Sequence, residues 1–200
     1  MTKIKICGLT RPQDIAAVNA AMPDYIGFVF APSRRQISPS QAAALRAELA
    51  RGITPVGVFV DAAADHVLEL VRLGIIDAIQ LHGAEDEAYI RHLKSLTAAP
   101  IIKAIPVQKT GDVQKWQATA ADYLLLDNKS GGTGQAFNWE LIGKTTKPYF
   151  LAGGLDPANI SEALAKTTPH AVDTSSGVET DGLKDPEKIH DFITQARRII

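Results

Sequence analysis

The sequence predicts an α/β chain of the (β/α)8, or TIM, barrel class, on three observations. Eight short apolar and β-branched runs recur along it, and they are continuous rather than alternating, as expected of parallel strands covered on both faces. Helical spacing or a helix start signal follows each run, so the order is strand then helix throughout. The runs also end in residues that can do chemistry or bind anions, among them Cys7, His82, Asp127, Gly153 and Ser175. In a closed barrel those ends share one mouth. The 200 residues suffice for one such barrel with brief loops, so residues 1–200 are expected to form a single catalytic barrel domain.

The elements follow in order. Strand one, 4–7, halts at Gly8, and Thr10 with Pro12 opens a helix over 13–21 that Met22-Pro23-Asp24 breaks. Strand two, 25–31, runs into a basic loop, Pro32-Ser33-Arg34-Arg35-Gln36, and Ser38-Pro39 supplies an N-cap and first-turn proline for a helix to residue 50. Strand three is 55–60, its helix 65–73, and Gly74 the stop. Strand four, 78–81, ends in His82-Gly83, and 86–96 is helical. Strand five, 101–105, is expected to lead into a polar helix over about 111–119. Strand six, 123–126, delivers Asp127 to a strand end, followed by a glycine-rich loop, 128–135, expected to act as a lid, and a short helix around 139–143. Strand seven is 149–152, stopping at Gly153-Gly154, with its helix over 159–166. Strand eight, 171–174, stops at Ser175-Ser176-Gly177, and Asp185-Pro186 opens the last helix. A doubly wound open sheet is the alternative, but Cys7-Gly8-Leu9-Thr10 matches neither a dinucleotide-binding turn nor a P-loop.

Charge narrows the function. The 21 lysines and arginines nearly balance 22 aspartates and glutamates without a block of one sign, which argues against a nucleic-acid or membrane partner and for a small anionic metabolite. No secretory apolar segment or run of ~18 apolar residues is present, so a cytoplasmic location is expected. The single cysteine can form neither an internal disulfide nor a cysteine-rich metal cage.

Four constellations can carry chemistry. Gly153-Gly154 and Ser175-Ser176-Gly177 follow strands seven and eight, where barrels bind phosphate through backbone N–H groups; ordinary strand-to-helix turns also favour these residues. Cys7 could serve as a base if a cationic neighbour lowered its pKa, and Asp127 as an acid if burial raised its own; a packed thiol and a loop cap are the bland alternatives. Arg34 and Arg35 could meet a second anionic group, and at least one of them is expected in solvent. His82 lies at the mouth without a second histidine or carboxylate at ligand spacing, so no metal is expected there. Lys103 could be a Schiff-base lysine, an ion pair being the plainer role. Strand period further predicts that Lys5 points inward with Cys7 and pairs with Asp173 on the adjoining strand.

The stretches Lys5-Ile6-Cys7-Gly8-Leu9-Thr10, Gln80-Leu81-His82-Gly83, Leu125-Leu126-Asp127, Leu151-Ala152-Gly153-Gly154-Leu155 and Asp173-Thr174-Ser175-Ser176-Gly177-Val178-Glu179, in this order, resemble the phosphoribosylanthranilate isomerase family. The resemblance spans the chain. It implies a cofactor-free Amadori rearrangement in tryptophan biosynthesis, with Asp127 as general acid and Cys7 as general base. It also implies Arg35 rather than Arg34 on the anthranilate part, and Gly154 and Ser176 in the phosphate loops; Gly153, Gly177 and His82 join them as substrate-binding residues. A monomer is favoured over a homodimer. The rival readings are another sugar-phosphate barrel enzyme, needing metal-binding histidines or a lysine such as Lys103, and a non-catalytic phosphosugar-binding module. Metal content and turnover separate them.

Overall fold

The computed structural model describes residues 2–128 and 138–198, and the proposed lid falls largely outside them. Eight parallel strands close in sequence order: β1 (Lys3–Cys7), β2 (Tyr25–Val29), β3 (Thr54–Phe59), β4 (Ala78–Leu81), β5 (Ile101–Pro106), β6 (Tyr123–Asp127), β7 (Tyr149–Leu151) and β8 (Ala171–Thr174). β8 pairs with β1, bringing Asp173 level with Lys5. The chain is therefore a (β/α)8 barrel.

Helices α1 (Pro12–Ala21), α2 (Pro39–Glu48), α3 (Ala64–Arg72) and α4 (Glu87–Leu96) follow the first four strands; α5 (Ile160–Lys166) and α6 (Pro186–Arg198) follow β7 and β8. Local signals start two of them. Pro12 occupies the first turn of α1, while Ser38 caps α2 in a reciprocal box with Gln41, satisfying N–H groups that a helix start leaves open.

The expected helix over 111–119 is absent: after β5 the chain makes only a 3₁₀ turn, Gln114–Trp116. Gly111 sits at φ 96°, and Asp112 spends its carboxylate on the Gln108 and Lys109 N–H groups. Gln117 is drawn off to the Thr146 and Lys147 backbone. With Val113 as its one buried apolar side chain, the segment lacks the apolar stripe that makes a helix worth forming. A second unforeseen element lies beyond β8: the antiparallel hairpin β9 (Glu179–Thr180) and β10 (Leu183–Lys184), turned by Asp181 and Gly182 at φ 52° and 79°. Left-handed conformations at both central residues suit a tight Asp-Gly turn.

Alternation along the strands sorts the interior into layers. Val56, Ala78, Ile102, Ala104, Leu125, Phe150, Ala152 and Ala171 form the apolar filling. Tyr25 and Tyr123 set ring edges on Phe150, with centroids 5.3 and 5.5 Å away, and close the N-terminal end. Since Ile102 and Ala104 face inward, Lys103 falls on the outer side, bonded to Glu85 at 2.8 Å and to the Gly83 carbonyl at 2.7 Å. Its role is an ion pair.

Lys5 does face inward, 0% exposed, with Nζ 3.0 Å from Asp173 Oδ1 as its strand position predicts. Burial would strip the ammonium of its proton, but Asp173, with a lesser pull from Cys7, outweighs it and holds Lys5 above the ordinary lysine value. Leaving one buried charge unpaired typically costs about 3–5 kcal/mol. Urea unfolding should therefore show Asp173→Asn destabilised by about that much. Replacing both partners, as Lys5→Met with Asp173→Leu, should recover most of the loss; an unstable double variant would mean the pair does more than neutralise itself.

Candidate active site

The +2 positions of the apolar interior layer form the floor of the mouth. Gln80, Asp127 and Asp173 are such positions, two residues beyond Ala78, Leu125 and Ala171, and with Cys7, the Arg35 loop, Gly153, Gly154, Ser175, Ser176 and Gly177 they line the mouth. They enclose a cavity of about 220 Å³, which His82 also lines. Every residue assigned to catalysis or substrate binding from the sequence reaches this cavity.

Cys7 ends β1, where the Gly8 N–H donates to the Gly27 carbonyl at 2.9 Å and the Ser175 hydroxyl donates to the Cys7 carbonyl at 2.9 Å. The strand end is thus tied to β2 and to the loop after β8. Only a glycine opposite gives the thiol its place: a Cβ on Gly27 would come 2.6 Å from Cys7 Sγ. The thiol is not lowered as expected. Burial pushes it up, and although Lys5 and Lys184 pull the other way, Asp173 adds to the rise.

Asp127 ends β6 and lies 3.3 Å from His82 Nε2, through its Oδ2. Behind it, Gln80 Nε2 stands 2.9 Å from His82 Nδ1. With the amide so oriented, Nδ1 accepts and Nε2 carries the hydrogen aimed at Asp127. Gln80 Oε1 is buried and without a partner among the described residues. Exchanging the two ends of that amide would give an Nδ1–H its acceptor, so one side chain can serve either protonation state of His82. Sequence reasoning placed His82 at the mouth but missed Gln80, whose inward direction follows from Ala78 two residues earlier.

The phosphate-side loops are built for close backbone approach. Gly153 and Gly154 both have positive φ, 82° and 71°, and neither N–H donates to a protein acceptor among the described residues. Asn159 fixes the turn by donating to the Gly154 carbonyl at 2.8 Å and accepting from the Asp156 N–H at 3.0 Å. A Cβ on Gly177 would run into the Leu155 carbonyl, so the two loops pack backbone to backbone.

In the loop after β2, Arg34 is exposed while Arg35 is mostly covered, and both reach Glu179. Arg35 donates from Nε and Nη2 to the two carboxylate oxygens at 2.7 and 2.9 Å. Lys184, itself buried, meets the same group at 2.6 Å. Burial favours the neutral Glu179, but hydrogen bonds from Arg35 and Lys184 outweigh it and hold the acid below the usual carboxylate range. The sequence reading did not assign Glu179 or Lys184, although Asp181-Gly182 between them is a strong hairpin signal.

The Gly27 contact yields a test of the packing. Gly27→Ala should cost about 1–3 kcal/mol in urea unfolding by overpacking, and Cys7→Ala placed in the same chain should return part of that cost by removing Sγ. Equal stability of Gly27→Ala and the parent would show that the thiol has room to spare.

Comparison with known proteins agrees with this geometry. The family model described as N-(5'-phosphoribosyl)anthranilate isomerase matches residues 4–195. The curated enzyme of that name from Endomicrobium trichonymphae is 45% identical, with 100% of each chain covered. The crystal structure of phosphoribosyl anthranilate isomerase from Thermus thermophilus superposes with a TM-score of 0.90 at 34% identity, again with 100% of both chains covered. Another isomerase structure, in complex with reduced 1-(o-carboxyphenylamino)-1-deoxyribulose 5-phosphate, gives 0.86 at 33% identity, covering 99% of this chain and 100% of that one. With matches of this extent and a barrel mouth carrying the expected cysteine, aspartate and loops, the chain belongs to the N-(5'-phosphoribosyl)anthranilate isomerase family.

Proposed function

We propose that Asp127 and Cys7 are the general acid and general base of an Amadori rearrangement, with residues 1–200 acting as one catalytic domain. As a member of its family the chain is an isomerase of tryptophan biosynthesis, converting N-(5'-phosphoribosyl)anthranilate to 1-(2-carboxyphenylamino)-1-deoxyribulose 5-phosphate. The observation that carries the residue roles is that Cys7 and Asp127 line one cavity together with the glycine-rich loops after β7 and β8 and with Arg35. A substrate with a phosphate at one end and a carboxylate at the other has a seat for each.

The steps follow from that placement. The N–H groups of Gly153 and Gly154, with Ser176 and Gly177, hold the phosphate, and Arg35 meets the anthranilate carboxylate. Asp127 gives its proton to the furanose ring oxygen, the C1–O bond breaks, and the anthranilate nitrogen forms an iminium with C1. Cys7, as thiolate, then takes the C2 proton. The resulting enolamine tautomerises to the ketone. His82 keeps Asp127 oriented and can take up or return its proton, with Gln80 following by either end of its amide.

The active form has its proton on Asp127 and none on Cys7. It is therefore one tautomer of a pair holding a single proton, and its share does not change with pH while that single-proton state dominates. kcat/KM should then be flat through neutrality, falling at acid pH when a second proton binds and, at the alkaline end, when the single proton is lost. Burial raises the Cys7 thiol, so the alkaline fall should lie above the ordinary thiol range of about 8.5. An alkaline fall centred below that range would contradict Cys7 as the base.

Cys7→Ala and Asp127→Asn should each lower kcat by roughly 10²- to 10⁴-fold or more with KM much less affected, whereas Arg35→Ala should raise KM as well. Steady-state fluorescence of substrate loss on folded variants checks this, and a parental kcat in either of the first two would remove the assignment. Every residue given a role belongs to this chain, so the site needs no partner subunit, which supports a monomeric enzyme; sedimentation as a dimer would overturn that.

A further inference from the structure

The hairpin β9–β10 supplies two charged groups that the proposed reaction does not use. Its Asp-Gly turn fixes the register so that Lys184 stands directly across from Glu179. Lys184 Nζ bonds Glu179 Oε1 at 2.6 Å and the Ser175 carbonyl at 2.9 Å, joining the carboxylate to the loop on the phosphate side. Lys188 Nζ binds the Glu179 carbonyl at 2.8 Å, fixing the backbone beneath it. Glu179 in turn receives Arg35 by two parallel bonds and Arg34 by a third.

We infer that Glu179, braced by Lys184, is a positioning residue that aims Arg35 at the substrate carboxylate and so sets selectivity for a carboxylated aryl group. This deepens the reading above and rests on Arg35 as the carboxylate contact. A guanidinium has two edges of paired N–H groups that a carboxylate can meet. Glu179 fills the Nε/Nη2 edge. The Nη1/Nη2 edge remains, and Nη1 has no hydrogen bond among the described residues. An arginine gripped on one edge has lost the rotamer freedom it would otherwise lose on binding, so the second edge is presented ready-made. Three cations against one carboxylate leave the cluster positive, so Glu179 orients the guanidinium without cancelling its attraction for an anion.

Glu179→Gln tests this, because the amide keeps the shape yet can no longer accept both guanidinium bonds. Its KM, and inhibition by the reduced 2-carboxyphenylamino product analogue, should weaken roughly 10- to 100-fold, the scale of a small misplacement of a binding group. kcat, inhibition by the phenylamino analogue lacking the carboxylate, and inhibition by inorganic phosphate should change far less. Arg35→Ala with Glu179→Gln should be no worse than Arg35→Ala alone, since both remove one contact. Glu179→Asp, which retracts the carboxylate by a methylene, should fall between and serves if Glu179→Gln is poorly folded. Equal weakening of all three ligands, multiplying effects in the double variant, or a lowered melting temperature with parental KM would overturn the proposal and leave Glu179 a stability element. If Arg35→Ala itself keeps full preference for the carboxylated analogue, the reading of Arg35 fails first and the proposal falls with it, a result distinct from the others.

Discussion

An ammonium group sealed inside a barrel is the constraint on which the rest of the mouth depends. Lys5 cannot be solvated where it lies, and Asp173 on β8 is what keeps it charged. That requirement fixes the register between the first and last strands from within, beyond what backbone bonding alone demands. It also places a fixed positive charge beneath Cys7 and a carboxylate within electrostatic reach of Asp127. Asp173 is itself pushed up by burial, against the pull of Lys5, with Asp127 adding to the rise. The reacting pair therefore shares its floor with a buried pair of opposite charges, whose field costs no reorganisation during the reaction.

Above that floor the site divides by the chemistry of its two ends. Phosphate is a strongly hydrated dianion, and the loops after β7 and β8 offer it backbone N–H groups held by positive φ at Gly153 and Gly154 and by close packing at Gly177. A carboxylate on an aromatic ring is planar, and for it the mouth offers a planar guanidinium. Glycine serves two unrelated purposes here. In the phosphate loops it permits a backbone conformation; at Gly27 it leaves a void that Cys7 Sγ fills.

The fold was legible in the sequence because continuous apolar runs punctuated by breakers are a property of each strand separately. The eight strands, and the helices wherever an N-cap or first-turn proline announced them, needed no tertiary information. Gly111 to Thr119 was misread because its polar character was compatible with a surface helix, whereas Gln117 and Asp112 are committed to backbone groups that only the folded chain brings near. Site positions were legible for the same local reason, being strand ends. Contacts between them were not. Lys5–Asp173 could be predicted because strand period and barrel closure jointly determine it, but Arg35–Glu179 crosses between two loops whose paths no period describes.

The raised thiol of Cys7 looks at first like a defect in a base. A stronger base, however, gains more from accepting the C2 proton, and the carbon acid beside an iminium needs a base of substance. Lowering the thiol toward neutrality would increase the thiolate share and weaken each thiolate in proportion to its Brønsted dependence. Asp127 faces the opposite choice, since a stronger acid protonates the ring oxygen more readily but is less often protonated. Both groups trade population against strength, and when one proton is shared between them the trade is made once, as a single tautomeric equilibrium. His82, with an amide behind it able to follow either protonation state, touches the acid side of that equilibrium; Lys5 and Lys184 act on the base side. The catalytic capacity of the site lies in these neighbours as much as in Cys7 and Asp127, because they set how much of the single-proton state is the reactive one.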